Sequence, residues 1–159
     1  MTIIALRKEN TFAKDLLSIL VAGAFITLIG QLSIPLPFTP VPIAFRLQTI
    51  LFLGLLLGSR RALLAVGIFI ALSAPLLLGP TAGYIVGYIL AAAFIRQERP
   101  VYSFVIGTLV VYLCGFAYLS TILGVQKAFL LGIAPFILGD IIKSIIALKL
   151  LKYVQLRRN

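Results

Sequence analysis

The sequence predicts an all-α membrane protein: a six-transmembrane-helix bundle with N and C termini cytoplasmic. Two observations carry that expectation. Hydrophobic residues make up 62% of the chain and charged residues 11%, with a mean hydropathy of +1.16, far from the balance of a soluble domain. The basic residues also cluster at regular intervals: Arg7, Lys8 and Lys14 before the first apolar run, Arg60 and Arg61, Arg96 and Arg99, then Lys149, Lys152, Arg157 and Arg158. These clusters hold 11 of the 14 basic residues, and the connections between them are nearly free of cations. Cations in every second loop follow the positive-inside rule and assign those loops and both termini to the cytoplasm. A net charge of +10 spread this way is not the continuous soluble basic face that nucleic acid requires.

Six apolar runs lie between the charges and the Pro/Gly breaks, within one integral membrane domain spanning residues 1–159: about Ala13 to Ser33, Ile43 to Gly58, Ala62 to Leu78, Thr81 to Ile95, Val101 to Leu123 and Phe129 to Leu151. The first includes Ala22-Gly23-Ala24 after a basic flank, as a cleaved signal would, but the run continues past it and reads as a retained helix. The second and fourth are short for a span of about 20 residues. Both are kept as crossings, because otherwise Arg60, Arg61, Arg96 and Arg99 would emerge on the wrong side.

Outer connections are shaped rather than charged. IPLPFTPVP holds Pro35, Pro37, Pro40 and Pro42 and reads as a stiff extended segment. LLLGPTAGY reads as a tight turn, with Pro80 and Thr81 opening the fourth helix. Small residues mark close helix contacts, Gly83, Gly87 and Ala91 on the fourth helix and Ser18 and Ala22 on the first.

The chain has no His and one Cys, so it builds neither an internal disulfide nor a His/Cys metal cluster, and histidine catalysis is excluded. An enzyme is not expected, and no cofactor or metal is assigned. Ile137 and Ile142 occupy the two glycine positions that a phosphate-binding loop ending at Lys143-Ser144 would need. Energy must then come from elsewhere.

The polar chemistry concentrates in PFILGDIIKS. Asp140 is the acidic residue placed inside a span, and Lys143 follows one turn later, about 60° around the same face. Charges at such depth are costly, so both are expected to face inward, to meet a small ligand or, as the alternative, to form a structural ion pair that orients the sixth helix. Gln48, Thr81, Tyr84 and Arg46 fall on the same outer side and join them as candidate substrate contacts. Tyr88, Tyr102, Tyr112 and Tyr118 read as packing or interfacial aromatics. A stand-alone proton-coupled carrier relaying through Asp140 is the competing functional expectation.

Taken in order, LPFTPVP, LQT, LLLGSRR, GPTAGY and PFILGDIIK resemble the BioY family of biotin transporters, the substrate-binding S components of energy-coupling-factor (ECF) importers. The likeness runs from about residue 31 to 150. It implies six helices in the plasma membrane, biotin held near the extracellular side, and a partnership with a transmembrane coupling protein and two ATPase subunits. It further implies that Asp140 and Lys143 meet the ligand's polar groups, that the Gln48 and Tyr84 segments contribute, and that Ser18 and Ala22 dock the coupling protein. Two departures stand out: PVPIAFRLQT is two residues longer than the family pattern, and the glycine-rich segment before GPT is abbreviated to APLLLGPT.

Overall fold

The computed structural model describes residues 2–157, without the side chains of residues 2–11 and 76. The expected cationic side chains of Arg7 and Lys8, and all of Arg158, therefore lie outside the described residues. Seven α-helices and one β-hairpin follow in order: α1 (Thr2–Gln31), β1 (Ile34–Leu36), β2 (Thr39–Ile43), α2 (Arg46–Leu57), α3 (Ser59–Leu72), α4 (Ala82–Ala93), α5 (Pro100–Leu123), α6 (Val125–Gly132) and α7 (Ala134–Leu156).

Among the described residues, three stretches are long and apolar enough to cross a membrane: Phe12–Gln31, Pro100–Leu123 and Val125–Leu156. Helices α2 and α4 have 12 residues each, or about 18 Å of rise against a hydrocarbon core of about 30 Å. Each is preceded by backbone that is not α-helical, the hairpin before α2 and a 3-10 helix before α4.

The basic loops are compressed. Gly58 alone separates α2 from α3, with a φ of 91° that a side chain would strain, so Ser59, Arg60 and Arg61 already belong to α3. Around it Arg61 pairs with Asp15 of α1 at 2.7 Å, and the Gln97 amide donates to the Leu55 carbonyl at 3.0 Å. The segments around Lys14, Arg60–Arg61 and Arg96 thereby meet at one end of the bundle.

Three expectations need correction at the other end. The proline-rich segment is extended but folds back on itself, pairing Ile34 with Ile43 and Leu36 with Thr39. Thr39 and Val41 are buried while Pro40 is exposed, and a two-stranded ribbon, being all edge, tolerates the missing proline N–H groups. The third apolar run is not one helix to Leu78: α3 stops at Leu72 and a 3-10 helix covers Ala74–Leu78. Pro75 disfavours α-helical backbone at the residue before it. The connection to α4 is consequently longer than a tight turn.

The sixth run is also interrupted. Ile133 separates α6 from α7 with φ −123° and ψ −58°, because Pro135 has no N–H for the Leu131 carbonyl and its ring crowds that oxygen. Phe136 N–H goes to the Ile133 carbonyl at 2.9 Å, leaving the Gly132 carbonyl free as well. Both oxygens find side chains: the Thr39 hydroxyl donates to Leu131 at 2.6 Å and the Tyr84 hydroxyl to Gly132 at 2.7 Å. One proline thus ties the hairpin and α4 to the top of α7.

The expected glycine contacts form the seam between α4 and α5. A Cβ on Gly87 would stand 2.7 Å from the Val111 Cα, and one on Gly83 would strike Tyr118 and Cys114.

Candidate ligand site

Beneath the hairpin lies a cavity of about 50 Å³ lined by Val41, Pro42 and Ala44 above, Leu47 and Gln48 of α2, Tyr84 and Tyr88 of α4, Val111 and Tyr112 of α5, and Phe136, Asp140 and Lys143 of α7. Every element that touches it is positioned by a feature already described. The hairpin supplies the roof, the glycine seam sets the depth of the tyrosines, and the break at Ile133 aims the first turns of α7 inward.

Asp140 and Lys143 do share a face. The Lys143 ammonium lies 2.6 Å from Asp140 Oδ1, donates to the Ala44 carbonyl at 3.1 Å and sits 5.2 Å from the Phe45 ring centroid. Asp140 Oδ2 accepts from the Tyr112 hydroxyl at 2.7 Å. The carboxylate is therefore held from both sides, and the lysine bridges α7 to the end of the hairpin. Such a pair contributes little net stability, since taking two charges from water offsets their attraction.

Gln48 supplies the unmet demand. It is 5% exposed, and its amide nitrogen and oxygen are both without a hydrogen-bond partner. A buried amide left unpaired costs about 1–3 kcal/mol. Its place on the cavity wall beside the charged pair gives that cost a use: donor, acceptor, carboxylate and ammonium converge on one small volume.

Of the other expected contacts, Tyr84 reaches the cavity, with its hydroxyl committed to Gly132. Thr81 does not line it; its carbonyl accepts the N–H groups of Tyr84 and Ile85 at the start of α4. Arg46 stands behind the wall, donating to the Gly30 carbonyl at 2.7 Å with its guanidinium 5.8 Å from the Phe69 ring centroid. Phe69 in turn packs on Tyr88, so Arg46 braces the site from outside. On α1, Ala22 is buried within the bundle, and the Ser18 hydroxyl is taken by the Asp15 carbonyl at 2.7 Å. The outward side of α1 is instead large and apolar, with Leu17, Val21 and Phe25 exposed.

Tyr88 and Tyr112, expected as packing or interfacial residues, are both brought to the cavity. The signal for Tyr112 is its depth: it falls near the middle of the 24-residue α5, whereas interfacial aromatics sit near helix ends. A phenol at mid-span needs a polar partner.

Comparison with known proteins identifies the family. A model of the BioY family matches residues 6–159. The chain is 33% identical over 132 aligned residues to the probable biotin transporter BioY of Pyrococcus horikoshii, covering 73% of this chain and 82% of that protein. It is 35% identical to the biotin transporter BioY of Rhizobium etli, over 84% of this chain and 89% of the relative. The crystal structure of the S-component for biotin from an ECF-type ABC transporter superposes with a TM-score of 0.78 at 26% identity, over 94% of each chain. These relatives are transporters rather than enzymes, and the long apolar helices agree with a membrane protein. The family match along nearly the whole sequence, the identity to two named transporters and the shared fold together place this chain in the BioY family.

Proposed function

We propose that this chain captures biotin at the extracellular side of the plasma membrane, as the S component of an ECF importer. The observation that carries the reading is the Gln48 amide, buried and unpaired at both ends on the wall shared with Asp140 and Lys143. A ureido group donates and accepts at once and suits that amide and the Asp140 carboxylate; the Lys143 ammonium suits a carbonyl or a carboxylate. The named relatives and the matching S-component support biotin as the ligand.

In this reading the chain is one domain that crosses the membrane six times with both termini cytoplasmic, α2, α3 and α4 being shortened crossings completed by the hairpin and the 3-10 turn. A transmembrane coupling protein and two ATPase subunits supply the energy. The ECF-type likeness favours this arrangement over a self-powered carrier.

The 50 Å³ cavity is far below the about 300–1,000 Å³ of small-molecule sites, so capture requires the roof to lift. Lys143 is suited to couple the two events, because a ligand that draws its ammonium away from the Ala44 carbonyl loosens the hairpin's exit.

Calorimetric titration of biotin into the purified full-length chain tests the reading. Saturable binding near one per chain is expected, with Asp140→Asn weakening it by about thirtyfold or more, the lower range for truncating a buried charged partner. A folded protein that takes up no biotin, or an Asp140→Asn variant that binds it as tightly, sinks the proposal.

A further inference from the structure

On the outside of the bundle, α5 and α7 diverge around an apolar groove of about 560 Å³. Its walls include Val105, Leu109 and Leu113 on α5 and Ile137, Ile141 and Ile145 on α7, each between 42% and 65% exposed. Only 11% of the apolar window containing α7 is buried within the chain, against 22% for α1 and α5. In a membrane this surface is covered by something.

The lining argues for a lipid chain over a packed helix. Transmembrane helices approach one another through small residues, as α4 and α5 do here through Gly83 and Gly87. The groove has no glycine or alanine along its walls, and its two small polar residues, Thr108 and Ser144, stand among branched and aromatic side chains that keep a second backbone at a distance while leaving room for a narrow hydrocarbon.

Charge selects the kind of lipid. The α7 stripe Ile137, Ile141, Ile145 continues at the same i+4 spacing to Lys149, and Lys152 follows seven residues after Ile145. Across the groove, Arg99 caps α5 just before Val101. All three cations are exposed, and among the described residues none makes an ion pair. Glu98 is the neighbouring acid on the α5 side.

We propose that this groove holds one acyl chain of an anionic phospholipid from the leaflet at the basic end, its phosphate met by Arg99, Lys149 and Lys152. The chain would lie against Tyr112 and Asp140, which line both the groove and the inner cavity, and would close the lipid side of the site. The assignment rests on a membrane location and not on the identity of the transported ligand.

Native mass spectrometry of the full chain released from nanodiscs of equal phosphatidylglycerol and phosphatidylcholine tests it. One phosphatidylglycerol should stay bound per chain. Lys149→Ala and Lys152→Ala should each weaken its retention about fivefold, the effect of one cation near an anionic surface, without changing phosphatidylcholine. Thr108→Phe, which fills the groove midway, should reduce retention of either lipid. Equal retention of the two lipids overturns the proposal, as does phosphatidylglycerol retention unmoved by all three variants. A lipid-free dimer joined through Leu109 and Ile141 also overturns it, by giving the groove to a second copy. Because the readout is lipid mass, failure to bind biotin leaves the outcome independent.

Discussion

The two faces of α5 show opposite ways of holding a helix. Toward α4 it packs through glycines at backbone distance, and Gly115 lies against the Tyr84 ring. Toward α7 it leaves a groove, and the tie across that gap is polar, from the Tyr112 hydroxyl to Asp140. Helix α7 is held elsewhere by Lys143 on the Ala44 carbonyl and, just above it, by Thr39 on the Leu131 carbonyl. The first seam is a scaffold with no freedom. The second is a set of struts made from the groups proposed to recognise a ligand, so on that proposal occupation of the site and the position of α7 are one problem.

The scaffold side should break most completely. Gly87→Leu would drive a side chain into the Val111 backbone, where a Cβ alone already meets the Cα at 2.7 Å. Overpacking of this kind costs about 1–3 kcal/mol where side chains yield and more where backbone must. We expect loss of the monodisperse peak in size-exclusion chromatography. Gly67, where an added Cβ would meet nothing within 4 Å, is the matched control: Gly67→Ala should leave yield and elution unchanged. Equal tolerance of both would mean that the α4–α5 seam is looser than its geometry.

The strut side should lose function before fold. Tyr112→Phe keeps the ring and removes the donor to Asp140 Oδ2, a bond to a charged group of about 1.5–3 kcal/mol. Biotin affinity measured by calorimetry should fall by about tenfold or more while the elution profile is retained. Wild-type affinity in this variant would show that the strut is released when ligand binds, and that Tyr112 belongs to the empty state alone.

This contrast also separates what is legible in the sequence from what is not. Gly83, Gly87 and the Asp140/Lys143 pair announce themselves, because a small-residue stripe and an intramembrane charge each have few physical explanations. Tyr112 does not, since a tyrosine on an apolar helix has a common alternative role at the interface. The hairpin is half visible: its prolines dictate extended backbone, but pairing Leu36 with Thr39 depends on a long-range anchor, the Leu131 carbonyl 92 residues away in sequence. The break at Ile133 is written in Pro135, yet its consequence, two carbonyls freed for Thr39 and Tyr84, exists only in three dimensions. Arg46 likewise carries a visible charge but no sign that it braces the cavity through Phe69 instead of entering it.

That proline offers the finest test of the comparison. Pro135→Ala restores an N–H able to reach the Leu131 carbonyl, and the junction of α6 and α7 becomes better able to continue as helix when proline leaves the first turn of α7. The helix should become more continuous while the hairpin loses its acceptor, so a helix-favouring substitution is expected to weaken ligand retention. Thr39→Val removes the other half of the same bond without touching α7. A neutral hydrogen bond contributes about 1 kcal/mol, so each variant should speed biotin dissociation about fivefold, and Thr39→Val should also lower thermal stability because its hydroxyl accepts the buried Val41 N–H at 3.1 Å. If both accelerate release equally, the Thr39–Leu131 bond is the latch on the roof. If only Pro135→Ala does, the bend itself is what aims Asp140 and Lys143 at the cavity, and the hydroxyl merely occupies an oxygen that the bend left free.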